Sequence, residues 1–291
     1  MRDRSSRSTA SWFPSSSVGV WLKLLPTWVI ISLTANVILL GTLLASMRHR
    51  PPDASPPAPE YQATVATIPM SVPNPSHLGE RHQLSYEQWV AQLAQEAKIA
   101  ADQSPDRLTV LAGDSISLWF PGKLLPDDRT WLNQGISGET SAGLLKRLHL
   151  FDNTQPATIF VMIGINDLLR GESDQTLVDN HRQIIQALQQ AHPQSQIVVQ
   201  SILPHAAESN WEGRDRLLAI SNQRIQALNE QVETIARQAG VYFLDLYPLF
   251  ADPDGDLRPE LSTDGLHLSP IGYQTWAIAL QVYSREVLGS Q

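Results

Sequence analysis

Residues 108–115 read LTVLAGDS, and the fold turns on how that stretch is read. Leu108–Ala112 is a short run of mostly aliphatic residues, the pattern of a strand buried on both faces. Gly113-Asp114-Ser115 ends it with small and polar residues. Outward along the chain lie four more β-prone runs: Trp131–Gln134, Thr158–Ile163, Gln196–Ile202 and Val241–Asp245. Helical patterns separate most of them. Thr140–Leu148 is one, and Thr176–Ala191 carries Ile184, Ile185 and Leu188. Arg214–Ala239 carries Leu218, Ile225, Leu228, Val232 and Ile235, with Gly240 as its C-terminal stop. Ahead of the first strand, Ser85 and Gln88 have the spacing of a capping box, and Trp89, Leu93 and Ala97 follow at helical spacing. The last helix begins at Ser269-Pro270, an N-cap and first-turn pair. Strands alternating with helices pair in parallel and carry helices on both faces. The expected class is α/β, with its site in the crevice beyond the carboxyl ends of the strands.

This domain is expected to cover 84–291. Before it, Thr27–Met47 holds 21 residues without a charge. As a helix it would rise about 31 Å, matching a hydrocarbon core of roughly 30 Å. A buried core helix would need a packing partner, yet a Pro-rich stretch follows instead. A cleaved signal peptide would need small residues where Leu43 and Leu44 stand. The expectation is one transmembrane anchor at 27–47. Arg2, Arg4, Arg7 and Lys23 precede it, while Arg48 and Arg50 follow, with no further Lys or Arg until Arg81. That balance places 1–26 in the cytoplasm and the bulk of the chain outside it, in the periplasm if the source is bacterial. Residues 49–76 hold eight of the 20 prolines, so 48–83 is expected to be an extended spacer.

The chain is 42% apolar and 17% charged, with a formal net charge of -8 and no cysteine. Such acidity repels phosphate backbones, so nucleic acid is not an expected partner. Lack of cysteine removes disulfides, thiolate metal sites and a Cys nucleophile together.

The residues after the first three strands are Gly113-Asp114-Ser115, Gly135-Ile136-Ser137-Gly138 and Gly164-Ile165-Asn166-Asp167. All are small or polar and contain glycine, as close backbone approach to a ligand requires. Ser115 carries a hydroxyl that needs an adjacent base to act as nucleophile. Among the eight histidines, His267 in Asp264-Gly265-Leu266-His267 has the most suggestive setting. Across a tight Gly-containing turn, the carboxylate can hold the imidazole tautomer. The Ser115 amide, the Gly138 amide and the Asn166 side chain could converge as donors to an oxyanion. Taken singly, Gly-Asp-Ser is usually a turn, Asp-x-x-His a helix cap and Asn166 a loop cap. Trp119, with Phe120, and Trp211 are pocket candidates, although core packing explains the first pair equally well. His149, His181, His192 and His205 have no partner motif and receive no role. Asp252-Pro-Asp254-Gly-Asp256 has the acidic spacing of a calcium loop. Its Gly is misplaced for an EF-hand and Thr263 stands where the bidentate Glu belongs, so it reads as a surface turn.

Four blocks, LAGDSISLWF, NQGISGET, VMIGINDLLRG and TDGLHLSPIGY, together resemble those of the SGNH (GDSL-type) hydrolases. The likeness is nearest to the bacterial lysophospholipase and platelet-activating-factor-acetylhydrolase-like branch, over roughly residues 105–285. The resemblance implies Ser115 as nucleophile, Gly138 and Asn166 as oxyanion donors, and Asp264 and His267 as acid and base. It also implies a three-layer α/β/α sandwich, flavodoxin-like, with a five-stranded parallel sheet of order 2-1-3-4-5. The pentapeptide G-x-S-x-G of the α/β-hydrolases is absent. The expected activity is hydrolysis of small or lipid-derived carboxylic esters through an acyl-enzyme, without metal or cofactor. The rivals are an esterase removing O-acetyl groups from cell-envelope glycans and a non-catalytic binding module that has kept the fold.

Overall fold

A computed structural model of the chain describes residues 84–289. The expected anchor at Thr27–Met47 and the spacer at 48–83 lie outside these residues. Among the described residues, no helix is long and apolar enough to cross a membrane.

In chain order the elements are α1 (Tyr86–Gln103), β1 (Thr109–Gly113), α2 (Ser115–Leu118), β2 (Trp131–Gly135), α3 (Ser141–Arg147), β3 (Thr158–Met162) and α4 (Ile165–Leu169). Then come α5 (Asp174–Ala191), β4 (Gln196–Gln200), α6 (Arg214–Leu218), α7 (Asn222–Gln238), β5 (Tyr242–Leu244), α8 (Tyr247–Phe250) and α9 (Pro270–Tyr283). The strands form one parallel sheet of order β2-β1-β3-β4-β5, as the resemblance implied. β1 and β3 are buried along their whole length, which explains their unbroken apolar runs. Their side chains alternate between two helical layers. Val110, Ala112, Ile159 and Val161 pack with Leu144 of α3 and with Ile184 and Leu188 of α5. Leu111, Phe160 and Met162 pack with Trp276, Ala279 and Leu280 of α9. Burying each large aliphatic or aromatic side chain contributes about 1.5–3 kcal/mol, so both layers are clamped to the sheet.

The capping signals work as the sequence indicates. Ser85 and Gln88 form the reciprocal box at α1, Thr140 caps α3, and Ser269 caps α9 with Pro270 in its first turn. Gly240 closes α7 with φ +70°.

Two expectations are corrected. Arg214–Ala239 is not one helix: α6 ends at Leu218, and α7 starts afresh after Ser221, whose hydroxyl accepts the Arg224 amide. A serine with a donor-seeking side chain has competed with helix continuation and won. The strand expected to run to Ile202 stops pairing at Gln200, because the Asn229 side chain takes both the amide and the carbonyl of Ile202, at 2.8 and 2.9 Å.

Candidate active site

Ser115 is the first residue of α2, immediately past the end of β1. The Asp114 carboxylate accepts the Ile116 amide at 2.9 Å and so starts the turn that presents Ser115. The other two candidates come from the far end of the chain. Residues 262–268 form a tight loop closed by a bridge between Ser262 and Leu268. At its tip, Asp264 divides its two oxygens. Oδ1 accepts the amides of Leu266 (2.9 Å) and His267 (2.7 Å), and Oδ2 accepts His267 Nδ1 at 2.7 Å. Gly265 is required here: its φ is +93°, and a Cβ would meet Glu208 O at 2.7 Å.

With Nδ1–H committed to Asp264, His267 Nε2 keeps its lone pair, and it lies 3.2 Å from Ser115 Oγ. The structure therefore joins all three sequence candidates in a chain from carboxylate to imidazole to hydroxyl. Burial works to raise the Asp264 pKa, but the His267 ring and the two amides outweigh it and hold the carboxyl below its ordinary value. Asp264 is thus the ionised partner that a developing imidazolium needs.

Gly138 lies in the loop after β2 with φ +74°, a left-handed conformation that a side chain would strain. Among the described residues, the amides of Ser115 and Gly138 have no acceptor. The Asn166 Nδ2 donates to Glu139 O at 3.0 Å and approaches Asp114 Oδ2 at 3.5 Å. The Glu139 bond ties Asn166 to the Gly138 loop. Arg170 makes a second tie, donating to Gly138 O at 2.7 Å. Unpaired amides on a fixed loop can receive a negative oxygen without reorganising.

Three supports of the site carried no role in the sequence reading. Arg147 is 2% exposed; it pairs with Glu139 at 2.7 Å and donates to Gln134 O and Gly113 O, the ends of β2 and β1. Asp167 accepts both the amide and the hydroxyl of Ser141. Asp114 is fully buried, and burial first, then the charges of Asp167 and Glu139, push its carboxyl up to about 7. No sequence signal separated these charged residues from solvated ones.

The tryptophans are placed as follows. Trp119, half-buried, packs against the core beneath α9. Trp211, also half-buried, packs against the α5–α7 side of the core, and its amide donates to Asp264 O at 3.3 Å. A cavity of about 450 Å³ opens beside Asp264, walled by Ala206–Asn210, Asp252, Asp256, Leu257, Pro259 and Ser262–Gly265, and by neither tryptophan. The Asp252–Asp256 segment is a turn in which Asp252 Oδ1 accepts the amides of Asp254 and Asp256.

The model of the GDSL-like lipase/acylhydrolase family matches residues 112–275. The alpha1 subunit of platelet-activating factor acetylhydrolase IB from Pongo abelii is 30% identical over 145 residues, 49% of this chain and 58% of that protein. An arylesterase from Vibrio mimicus is 35% identical over 101 residues, 30% of this chain and half of that protein. This chain thus spans less than two thirds of the length of these relatives. Among solved structures, one from Streptococcus pneumonia named for platelet activating factor is 28% identical, with a TM-score of 0.62, covering 68% of this chain and 91% of that one. A GDSL-like lipase from Bacteroides thetaiotaomicron shares the fold at 21% identity and a TM-score of 0.53, covering 67% and 98%. With its family blocks lying on the matched residues and its sheet in the expected order, the chain belongs to the GDSL-like lipase/acylhydrolase family.

Proposed function

We propose that the chain is a serine esterase that hydrolyses small or lipid-derived carboxylic esters. The observation that carries this reading is the continuous Asp264 Oδ2–His267 Nδ1 and His267 Nε2–Ser115 Oγ chain, at 2.7 and 3.2 Å. His267 takes the Ser115 proton as Oγ attacks the ester carbonyl. The amides of Ser115 and Gly138 and the Asn166 side chain receive the oxyanion. Collapse expels the alcohol, which takes the proton from His267 and leaves an acyl group on Ser115. Water, deprotonated by His267, then releases the acid. The acetylhydrolase name of one relative supports an ester with a short acyl group, and the arylesterase name of another supports ester hydrolysis without bearing on acyl length. We also place the domain outside the cytoplasm on the Thr27–Met47 anchor; its support is the charge balance around that segment.

The test is a chain-length series of p-nitrophenyl esters run beside lysophospholipid and acetylated xylan, with Ser115→Ala as control. Turnover that disappears in Ser115→Ala, together with fluorophosphonate labelling of Ser115, is expected. Acetylated glycan as the sole substrate would favour the envelope-glycan reading. A chain that neither turns over esters nor takes the label would be a binding module.

A further inference from the structure

The geometry points to Arg170 as a specificity-determining residue, which recognises an anionic group, a phosphate or a carboxylate, carried by the ester a few bonds from its carbonyl. This rests on the Ser115–His267–Asp264 reading proposed above and names the substrate class of that same site. Arg170 closes α4, and its amide bonds back to Asn166 O at 3.1 Å. Four residues apart on one helical turn, the two side chains leave the same face. They also finish side by side. Asn166 Nδ2 donates to Glu139 O at 3.0 Å, and Arg170 Nη2 donates to Gly138 O at 2.7 Å. Those carbonyls belong to consecutive residues, whose Cα atoms are about 3.8 Å apart. The guanidinium therefore sits one residue along from the amide assigned to the oxyanion. That edge is open: chain neighbours aside, a Cβ built on Gly138 would have Arg170 Nη2 at 3.9 Å and no other heavy atom within 4 Å.

The head group has donors to spare. Arg170 is exposed, and among the described residues it joins no carboxylate, whereas Arg147, Arg182, Arg224 and Arg237 each face one. A guanidinium carries five N–H groups. Its bond to Gly138 O is the one hydrogen bond of this side chain among the described residues. A guanidinium stays charged at any working pH, and its planar fork matches the paired oxygens of a carboxylate or phosphate. Tied at one corner by Gly138 O, this one is held at the rim of the site before substrate arrives.

The sign of the surroundings selects this side of the site. The cavity beside Asp264 carries Glu208, Asp252 and Asp256 in its wall, and Arg170 is not among its residues. An anionic substituent is repelled there and attracted at Arg170. With a formal net charge of -8 on the chain, a local cation is what an anionic ester needs in order to seat.

The test uses the full chain at neutral pH and low salt, with two matched pairs of esters. On the acyl side, the mono-p-nitrophenyl ester of succinic acid is paired with p-nitrophenyl pentanoate. On the alcohol side, acetylglycerol phosphate is paired with monoacetylglycerol. In at least one pair the anionic ester is expected to have the higher kcat/KM, by about tenfold, the scale of one charge-assisted hydrogen bond. The pair that shows it tells which side of the ester carries the anion. Arg170→Gln, which keeps a donor for Gly138 O, is expected to erase that preference, mainly through KM, and Arg170→Lys to restore part of it. A loss shared by both members of a pair reports the tie to Gly138 O and cancels from the ratio. A native chain that prefers neither anionic ester overturns the proposal without any variant having to fold. A preference that survives Arg170→Gln overturns it equally. Ser115→Ala is assayed on the neutral esters. If the native chain cleaves them through Ser115 but shows no anionic preference, the role of Arg170 alone is lost. If it cleaves none of the four esters, the esterase reading is lost with it.

Discussion

Burial lifts the Asp114 carboxyl to about 7, with Asp167 and Glu139 pushing the same way. In the unfolded chain the same group titrates near 3.9. A carboxyl whose folded value is the higher one contributes stability that is fully present below about 4 and is lost as pH rises to about 7. Asp114→Asn should remove that slope. Urea midpoints across pH 4–8 should fall with pH in the native chain and flatten in the variant; parallel curves would mean that the carboxyl is not raised. Asn166→Ala should lower kcat by about two to three orders of magnitude while leaving KM near native, since an oxyanion donor acts in the transition state. A raised KM with native kcat would make Asn166 a ground-state contact instead. Asp264→Asn should keep the fold and lose turnover, because an amide cannot hold the productive tautomer. Ser115, Asp264 and His267 were legible because each stands in a short motif beside a glycine. Asp114 was legible as a neighbour of Ser115 but not as a buried acid, because burial is set by residues distant in sequence.

At the scale of elements, one buried ion pair holds the carboxyl ends of β1 and β2 against the loop of Gly138. Arg147 and Glu139 are both nearly inaccessible, so removing one leaves the other as an unpaired buried charge. Arg147→Met should therefore cost about 3–5 kcal/mol, measured by chemical denaturation. Adding Glu139→Gln should recover part of that loss; a double variant as unstable as the single one would show that Arg147 acts through its contacts to Gln134 O and Gly113 O instead. Ser221→Ala should cost about 1 kcal/mol by uncapping α7. The order of strands and helices was readable because β1 and β3, sandwiched between layers, are apolar after their opening threonines and the helices around them are amphipathic. The break between α6 and α7 was not, because apolar residues continue at helical spacing across it and only the Ser221 hydroxyl, bound to the Arg224 amide, marks the new start. Glu139 precedes α3 and Arg147 ends it, positions where charges are ordinarily solvated; their buried pairing against the ends of β1 and β2 is a tertiary event.

For the whole molecule, the proposed anchor and spacer predict a membrane-bound protein whose domain is open to protease on spheroplasts. Fractionation checks this: a mature chain that starts after residue 47 and is soluble would remove the anchor, and protection in intact spheroplasts would reverse its orientation. A chain starting near Ser76 should hydrolyse water-soluble esters as well as the full chain does, since the described core and site draw on residues from 84 onward. The site itself spans the domain, with Ser115 and His267 separated by 152 positions. Ribosomes add about 5–20 residues each second, so the hydroxyl leaves the tunnel roughly 8–30 s before the imidazole that must arm it. On the proposed reading, a nascent chain, or one truncated before His267, therefore holds Ser115 with no base beside it, and its hydroxyl stays unarmed until the Asp264–His267 turn has been made.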